Sequence, residues 1–146
     1  MSTTERLFAE SLQKTEDWLH QLAELGRFES PAQAYSALHA VLHALRDRLT
    51  VDEAAQLGAQ LPLLIRGVYY EGWKPALLPS HQRSKFEFLS RIRGRMGDCD
   101  VDPQAVCRAV FQLLERHIGA GEIDSVRHML PDRLRELWPA PTSHRW

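Results

Sequence analysis

A shift of 69 positions lays residues 34–69 on residues 103–138 without a gap, and the Leu61-Pro62 step of the first copy falls on Leu130-Pro131 of the second. Seven of the 36 pairs are identical, among them Ala40/Ala109, Val41/Val110, Leu45/Leu114, Glu53/Glu122 and Arg66/Arg135. Apolar residues face apolar ones at Leu38/Cys107, Leu42/Phe111, Leu49/Ile118, Leu57/Val126, Ile65/Leu134 and Tyr69/Trp138. One extra loop residue in the first copy extends the match to Trp18 on Phe88 and Leu22 on Ile92. Any two amphipathic helices share a period of 3.6, but that period does not place a proline break at one register in both. The chain therefore reads as one helical unit that was copied.

Within each copy the helix signals agree. Ser30-Pro31-Ala32-Gln33 supplies a serine cap, proline in the first turn and glutamine at the third position. Ala34, Leu38, Val41, Leu45 and Leu49 then recur on one helical face. Thr50-Val51-Asp52-Glu53 and Ser84-Lys85-Phe86-Glu87 are further capping boxes, and Asp102-Pro103 opens the long helix of the second copy. Proline lacks the N–H that an interior turn needs, so Leu-Pro ends one helix and starts the next. The expected helices are 15–25, 31–49, 51–60 and 62–70 in the first unit and 84–95, 103–118, 121–129 and 131–138 in the second, with residues 3–14 an extension of the first. No stretch alternates with period two. The expected fold class is all-α, an orthogonal helical bundle built from two tandem, pseudo-symmetric four-helix units.

The 146 residues suit a single domain, 1–146: a first unit at 15–73, a linker at 74–83 holding Pro75 and Pro79, a second unit at 84–139 and a mobile tail at 140–146. With 44% hydrophobic and 25% charged residues the chain can bury a core unaided. Lys+Arg 18 against Asp+Glu 19 gives a net charge of -1, which provides no global attraction to nucleic acid or anionic lipid. No apolar run reaches membrane-spanning length, no secretory signal is visible at Met1-Ser2-Thr3-Thr4-Glu5, and two cysteines make no disulfide framework. A cytoplasmic protein without membrane contact is expected.

The most distinctive local string is Tyr69-Tyr70-Glu71-Gly72-Trp73, which follows the helix carrying Arg66 and has only Trp138 as counterpart in the second copy. Tyrosine and tryptophan join large apolar area to a polar tip, which suits either a contact surface or a plug between units, with Gly72 ending the helix in a left-handed turn. His39 and His43 stand one helical turn apart, a spacing that can place two imidazoles on one metal, but no glutamate follows His39 and no third ligand is evident. A solvent-facing pair or satisfied interface histidines is the plainer reading. Asp98 to Asp102 lacks the glycine and the distal carboxylate of a calcium loop. Cys99 reads as an exposed loop thiol and Cys107 as a buried, inert one. Arg83, Lys85, Arg91, Arg93 and Arg95 form a basic run that most simply reads as a solvated helix face.

Glu53-Ala54-x-x-Leu57-x-x-Gln60-Leu61-Pro62 followed by Arg66-Gly67-x-Tyr69-Tyr70-Glu71-Gly72-Trp73 resembles the bacterial domain of unknown function 2267 family, and Leu130-Pro131 with Leu137-Trp138-Pro139 is similar to that family's second half. The resemblance covers about residues 15–139. It implies a small bacterial, cytoplasmic, all-helical protein and carries over no catalytic residue.

From the residues we expect a non-enzymatic module that binds a protein partner or itself, as in a homodimer, through Arg66, Tyr69, Tyr70, Glu71 and Trp73. The alternative is a small-molecule or metal-binding domain with a site between the two units, using His43, Arg66, Tyr70 and Glu71. No cofactor is called for, and nucleic acid is disfavoured.

Overall fold

The computed structural model describes residues 1–77, 84–97, 100–130 and 132–138, and within them the regular structure is entirely helical. In order these are α1 (Thr3–Gly26), α2 (Pro31–Arg46), α3 (Val51–Ala59), α4 (Leu63–Tyr70), a 3-10 turn at Pro75–Leu77, α5 (Lys85–Met96), α6 (Pro103–His117), α7 (Ala120–Met129) and α8 (Asp132–Arg135).

The caps explain most of these boundaries. Ser2 and Glu5 form a reciprocal capping box: each side chain accepts the other's backbone N–H, at 3.0 and 3.2 Å. That box starts α1 early, so residues 3–14 are continuous with the expected 15–25 in one helix of 24 residues. The helix closes at Arg27, a left-handed residue with φ 55°, whose N–H reaches back to the Ala23 and Glu24 carbonyls. Gly26 beside it leaves room for the Phe28 ring, whose edge a Cβ there would meet. Ser30, Thr50, Ser84 and Asp102 cap α2, α3, α5 and α6 through their side chains. α2 stops before the expected residue 49 because Arg48 and Leu49 donate to Leu45 and Arg46, tightening the last turn. α8 is shorter than the expected 131–138 for the same reason, with Leu137 bonded to Leu134 and Trp138 to Arg135.

Each α-helical corner before α4 and α8 is closed by an arginine. Arg66 donates from Nε to the Gly58 carbonyl (3.0 Å) and from Nη2 to those of Ala59 (3.3 Å) and Leu61 (3.0 Å). Arg135 donates from Nε to Arg127 (3.1 Å) and from Nη2 to His128 (3.4 Å) and Leu130 (3.0 Å). The Gly58, Ala59, Arg127 and His128 carbonyls belong to the last turns of α3 and α7, where intrahelical donors run out, and those of Leu61 and Leu130 lie just beyond.

One hydrophobic cluster draws on all eight α-helices, and Leu38, Val41, Leu45, Val110 and Leu114 all lie inside it as the stripes require. α1 packs on α2, α4 and α6, while α5 packs on α6, α8 and α2. α2 also meets α6, and α3 meets α7. At the α3–α7 contact Glu53 and Glu122 each bury an unpartnered Oε2, and burial together with the Glu53 charge pushes the Glu122 carboxyl above its usual range. Cys107 is buried, which raises its thiol far above the range of a nucleophile. Arg83, Cys99, Pro131, part of the 74–83 linker and the 140–146 tail lie outside the described residues.

Candidate functional site

The residues singled out in the sequence separate into three places. The first is an aromatic ladder at the end of α4. Tyr69 has 0% exposure and donates its hydroxyl to the Ala54 carbonyl at 2.7 Å, so it supports the surface from beneath and offers none itself. Tyr70 is half-buried, edge-on to Tyr69 at 5.0 Å, and reaches the Ala55 carbonyl at 3.4 Å. The tip of its ring lies where a Cβ on Gly58 would be, so glycine in α3 gives the ring room to lie there. Trp73 packs on Tyr70 at 5.3 Å and Gly72 adopts φ 72°, the left-handed turn that the string required.

The second place is a polar cluster between α2, the end of α4 and α5. His39 is buried rather than solvent-facing, and the His39 and His43 ring centroids are 4.0 Å apart. His43 Nε2 lies 2.7 Å from the Val68 carbonyl, an acceptor, so the proton sits on Nε2. Burial holds this imidazole neutral, with its pKa lowered to about 4. Arg95 Nη2 donates to His39 Nε2 at 2.8 Å, which puts the His39 proton on Nδ1, a buried nitrogen with no partner among the described residues. Burial and the Arg95 charge hold His39 below the usual imidazole range, against the pull of Glu71, whose Oε1 is 3.5 Å away.

Arg46, Asp47, Arg91 and Arg95 complete this cluster and were not foreseen as members. Arg46 is buried, donates from Nη1 to the Tyr69 (2.8 Å) and Glu71 (3.0 Å) carbonyls, and pairs with Asp47 through Nε at 2.9 Å. Arg91 reaches the same carboxylate at 2.6 Å. Burial would raise Asp47, but the hydrogen bonds from the two arginines outweigh it and hold the carboxyl below its ordinary range. A sequence signal existed: Arg46 stands four residues after Leu42 on the buried stripe of α2, where an apolar residue belongs. Two residues of the basic run on α5 are thus ion-paired or hydrogen-bonded inside the chain, and Lys85 pairs with Glu136 at 3.8 Å. Among the described residues no group of three or more His, Cys, Asp or Glu is placed to hold a metal ion.

The third place is an open groove of about 490 Å3 between the first half of α1 and the α3–α4 corner. Leu7, Glu10, Ser11, Lys14 and Trp18 form one wall, residues 59–63 and Arg66 the other, and His117 closes the end. His117 stacks on Trp18 at 4.5 Å and donates to Gln21 Oε1 at 3.0 Å, while burial and the neighbouring Arg116 hold it below the usual imidazole range. Leu7 (73%) and Leu63 (53%) leave most of their surface to solvent. Outside the groove, Phe8 (49%) and Leu12 (53%) expose a second apolar flank of α1. Of the expected site residues only Arg66 lines the groove; His43 and Glu71 belong to the polar cluster, and Tyr69, Tyr70 and Trp73 to the ladder.

Fold and site together define an all-α protein in which His39, His43, Asp47 and three arginines meet in one polar cluster and an open groove is built on an extended first helix. The chain belongs to the DUF2267 family, described as "Uncharacterized conserved protein", whose profile matches residues 15–137. No curated protein matches it.

Proposed function

We propose that the chain is a non-enzymatic helical interaction module that pairs with a second copy of itself through α1. The observation that carries this reading is the apolar flank of α1. Phe8, Leu12 and the half-buried Leu19 follow one another on one side of the helix. In an antiparallel pair this stripe complements itself. Phe8 faces Leu12 and Glu5 faces Thr15 on both sides of a two-fold axis, so no like charges meet on that stripe. The polar cluster favours a structural reading over a catalytic one, because its imidazoles and carboxylate are bonded to neighbouring groups of the fold. The arginines of α5 that bond into that cluster favour protein over nucleic acid as partner. A cytoplasmic setting belongs to the same reading; among the described residues no helix is long and apolar enough to cross a membrane.

We also infer that the two halves are pseudo-symmetric four-helix units within one domain. Support comes from the corresponding arginine corners, from α1 meeting α6 as α5 meets α2, and from Glu53 and Glu122 meeting at the α3–α7 contact.

Light scattering behind size-exclusion chromatography over a concentration series tests the pairing. Wild type should be dimeric at the upper concentrations, and Phe8→Glu and Leu12→Glu should be monomers with unchanged helical content. A wild-type chain that stays monomeric throughout, or charged variants that still dimerise, would remove the pairing.

A further inference from the structure

We infer that the groove between α1 and the α3–α4 corner is a binding site for a small molecule that joins a carboxylate to an apolar body. This goes beyond the pairing proposed above and does not rest on it, since Phe8 and Leu12 are not part of the groove lining.

The argument comes from a difference between two corresponding corners. In the second half Arg135 bonds three carbonyls through Nε and Nη2, and its Nη1 lies 3.5 Å from Asp132 Oδ1, one turn earlier in the same helix. In the first half Arg66 makes the corresponding three carbonyl bonds with Nε and Nη2, but the residue one turn earlier is Leu63. Among the described residues no hydrogen bond or ion pair involves Arg66 Nη1. The guanidinium is thus fixed in place by its other nitrogens and turns an uncommitted edge toward a carboxylate that the first half does not supply. A guanidinium held in this way is pre-organised for a carboxylate.

The surroundings differ in the same sense. The second-half corner is crossed by the Lys85–Glu136 pair at 3.8 Å, whereas Thr15 and Gly67 stand at the corresponding positions of the first half. α1 has 24 residues against 12 in α5, and its added length brings Leu7, Glu10, Ser11 and Lys14 to the groove. Lys14 adds a second cation. Leu7, Pro62 and Leu63 supply apolar surface above the buried Leu61 and Trp18, and Glu10 is the one acid on the lining. A volume near 490 Å3 lies in the range of small-molecule sites.

Octanoate, with neutral octanamide as its isostere, is the probe, read by amide and indole NMR shifts on the full chain. Octanoate should bind saturably, with shifts confined to residues 59–66, the first half of α1 and the Trp18 indole. Octanamide should bind about tenfold more weakly, the factor expected when a charge-assisted hydrogen bond is lost. Leu63→Asp places a carboxylate where Asp132 stands in the other half; it should abolish octanoate binding without lowering the melting temperature. Lys14→Gln should weaken binding several-fold. Absence of saturable octanoate binding, equal binding of octanamide, shifts centred elsewhere, or full binding by Leu63→Asp would each overturn the site. Because Leu63→Asp leaves Phe8 and Leu12 untouched, loss of octanoate binding and loss of dimerisation are scored separately.

Discussion

His43 illustrates how a single side chain sets a pH response. It is neutral in the fold, with a pKa lowered to about 4 by burial, while an unfolded chain takes up that proton below 6.5. Between those values the unfolded state binds more protons, so stability must fall as the pH drops from 6.5 toward 4. Glutamine can still donate to the Val68 carbonyl but does not titrate. His43→Gln should therefore flatten the dependence of unfolding free energy on pH in that window, measured by urea titration at several pH values. An unchanged slope would show that the imidazole is not desolvated as described. His39 and His117, both held below the usual imidazole range, act in the same direction, so the variant removes part of the slope and not all of it. Asp47 acts at lower pH, because its folded carboxyl titrates below the usual 3.8 and its contribution is lost only as the pH falls through that region.

At the scale of elements, α4 is joined to α3 by bonds that cross the Leu61-Pro62 step. The buried Tyr69 hydroxyl on the Ala54 carbonyl is one of them. Tyr69→Phe keeps the ring and removes the bond, so it should cost about 1 kcal/mol by chemical denaturation; a neutral result would mean that water replaces the hydroxyl. The existence and order of these helices were legible because caps and apolar spacing are local properties. Ser30-Pro31, Thr50 and Asp102-Pro103 each mark a start that the backbone uses. Ends were harder to place. Leu49 and Trp138 carry the apolar stripe past the last regular turn, and tightening to i→i−3 bonds leaves no pattern in residue type. The aromatic string was legible as distinctive, but its placement was not. Whether Tyr69 faces inward depends on α3 lying against it, and no local spacing reports that contact. The arginines around His39 escaped for the same reason: Arg91 and Arg95 reach α2 across a distance of 44 and 56 residues in the chain.

For the whole molecule, the decisive fact is that the first helices cross between the two halves of the chain: α1 lies on α6 as well as on α2 and α4, and α5 lies on α2. Cutting the chain in the linker would leave each fragment with an exposed stripe on its longest buried helix. Cooperative unfolding follows. Calorimetry should show one transition, with the calorimetric enthalpy equal to the van't Hoff value for the unit that unfolds. Two resolved transitions, one for each half, would contradict a shared core. The arginine corners carry a further consequence. A guanidinium that grips peptide oxygens takes no notice of which side chains those peptides bear, so Ala59 and its counterpart His128 are free to differ between the two corners, as they do. Mutational tolerance should accordingly be broad at those positions and narrow at Arg66 and Arg135, whose replacement would remove three hydrogen bonds from each corner.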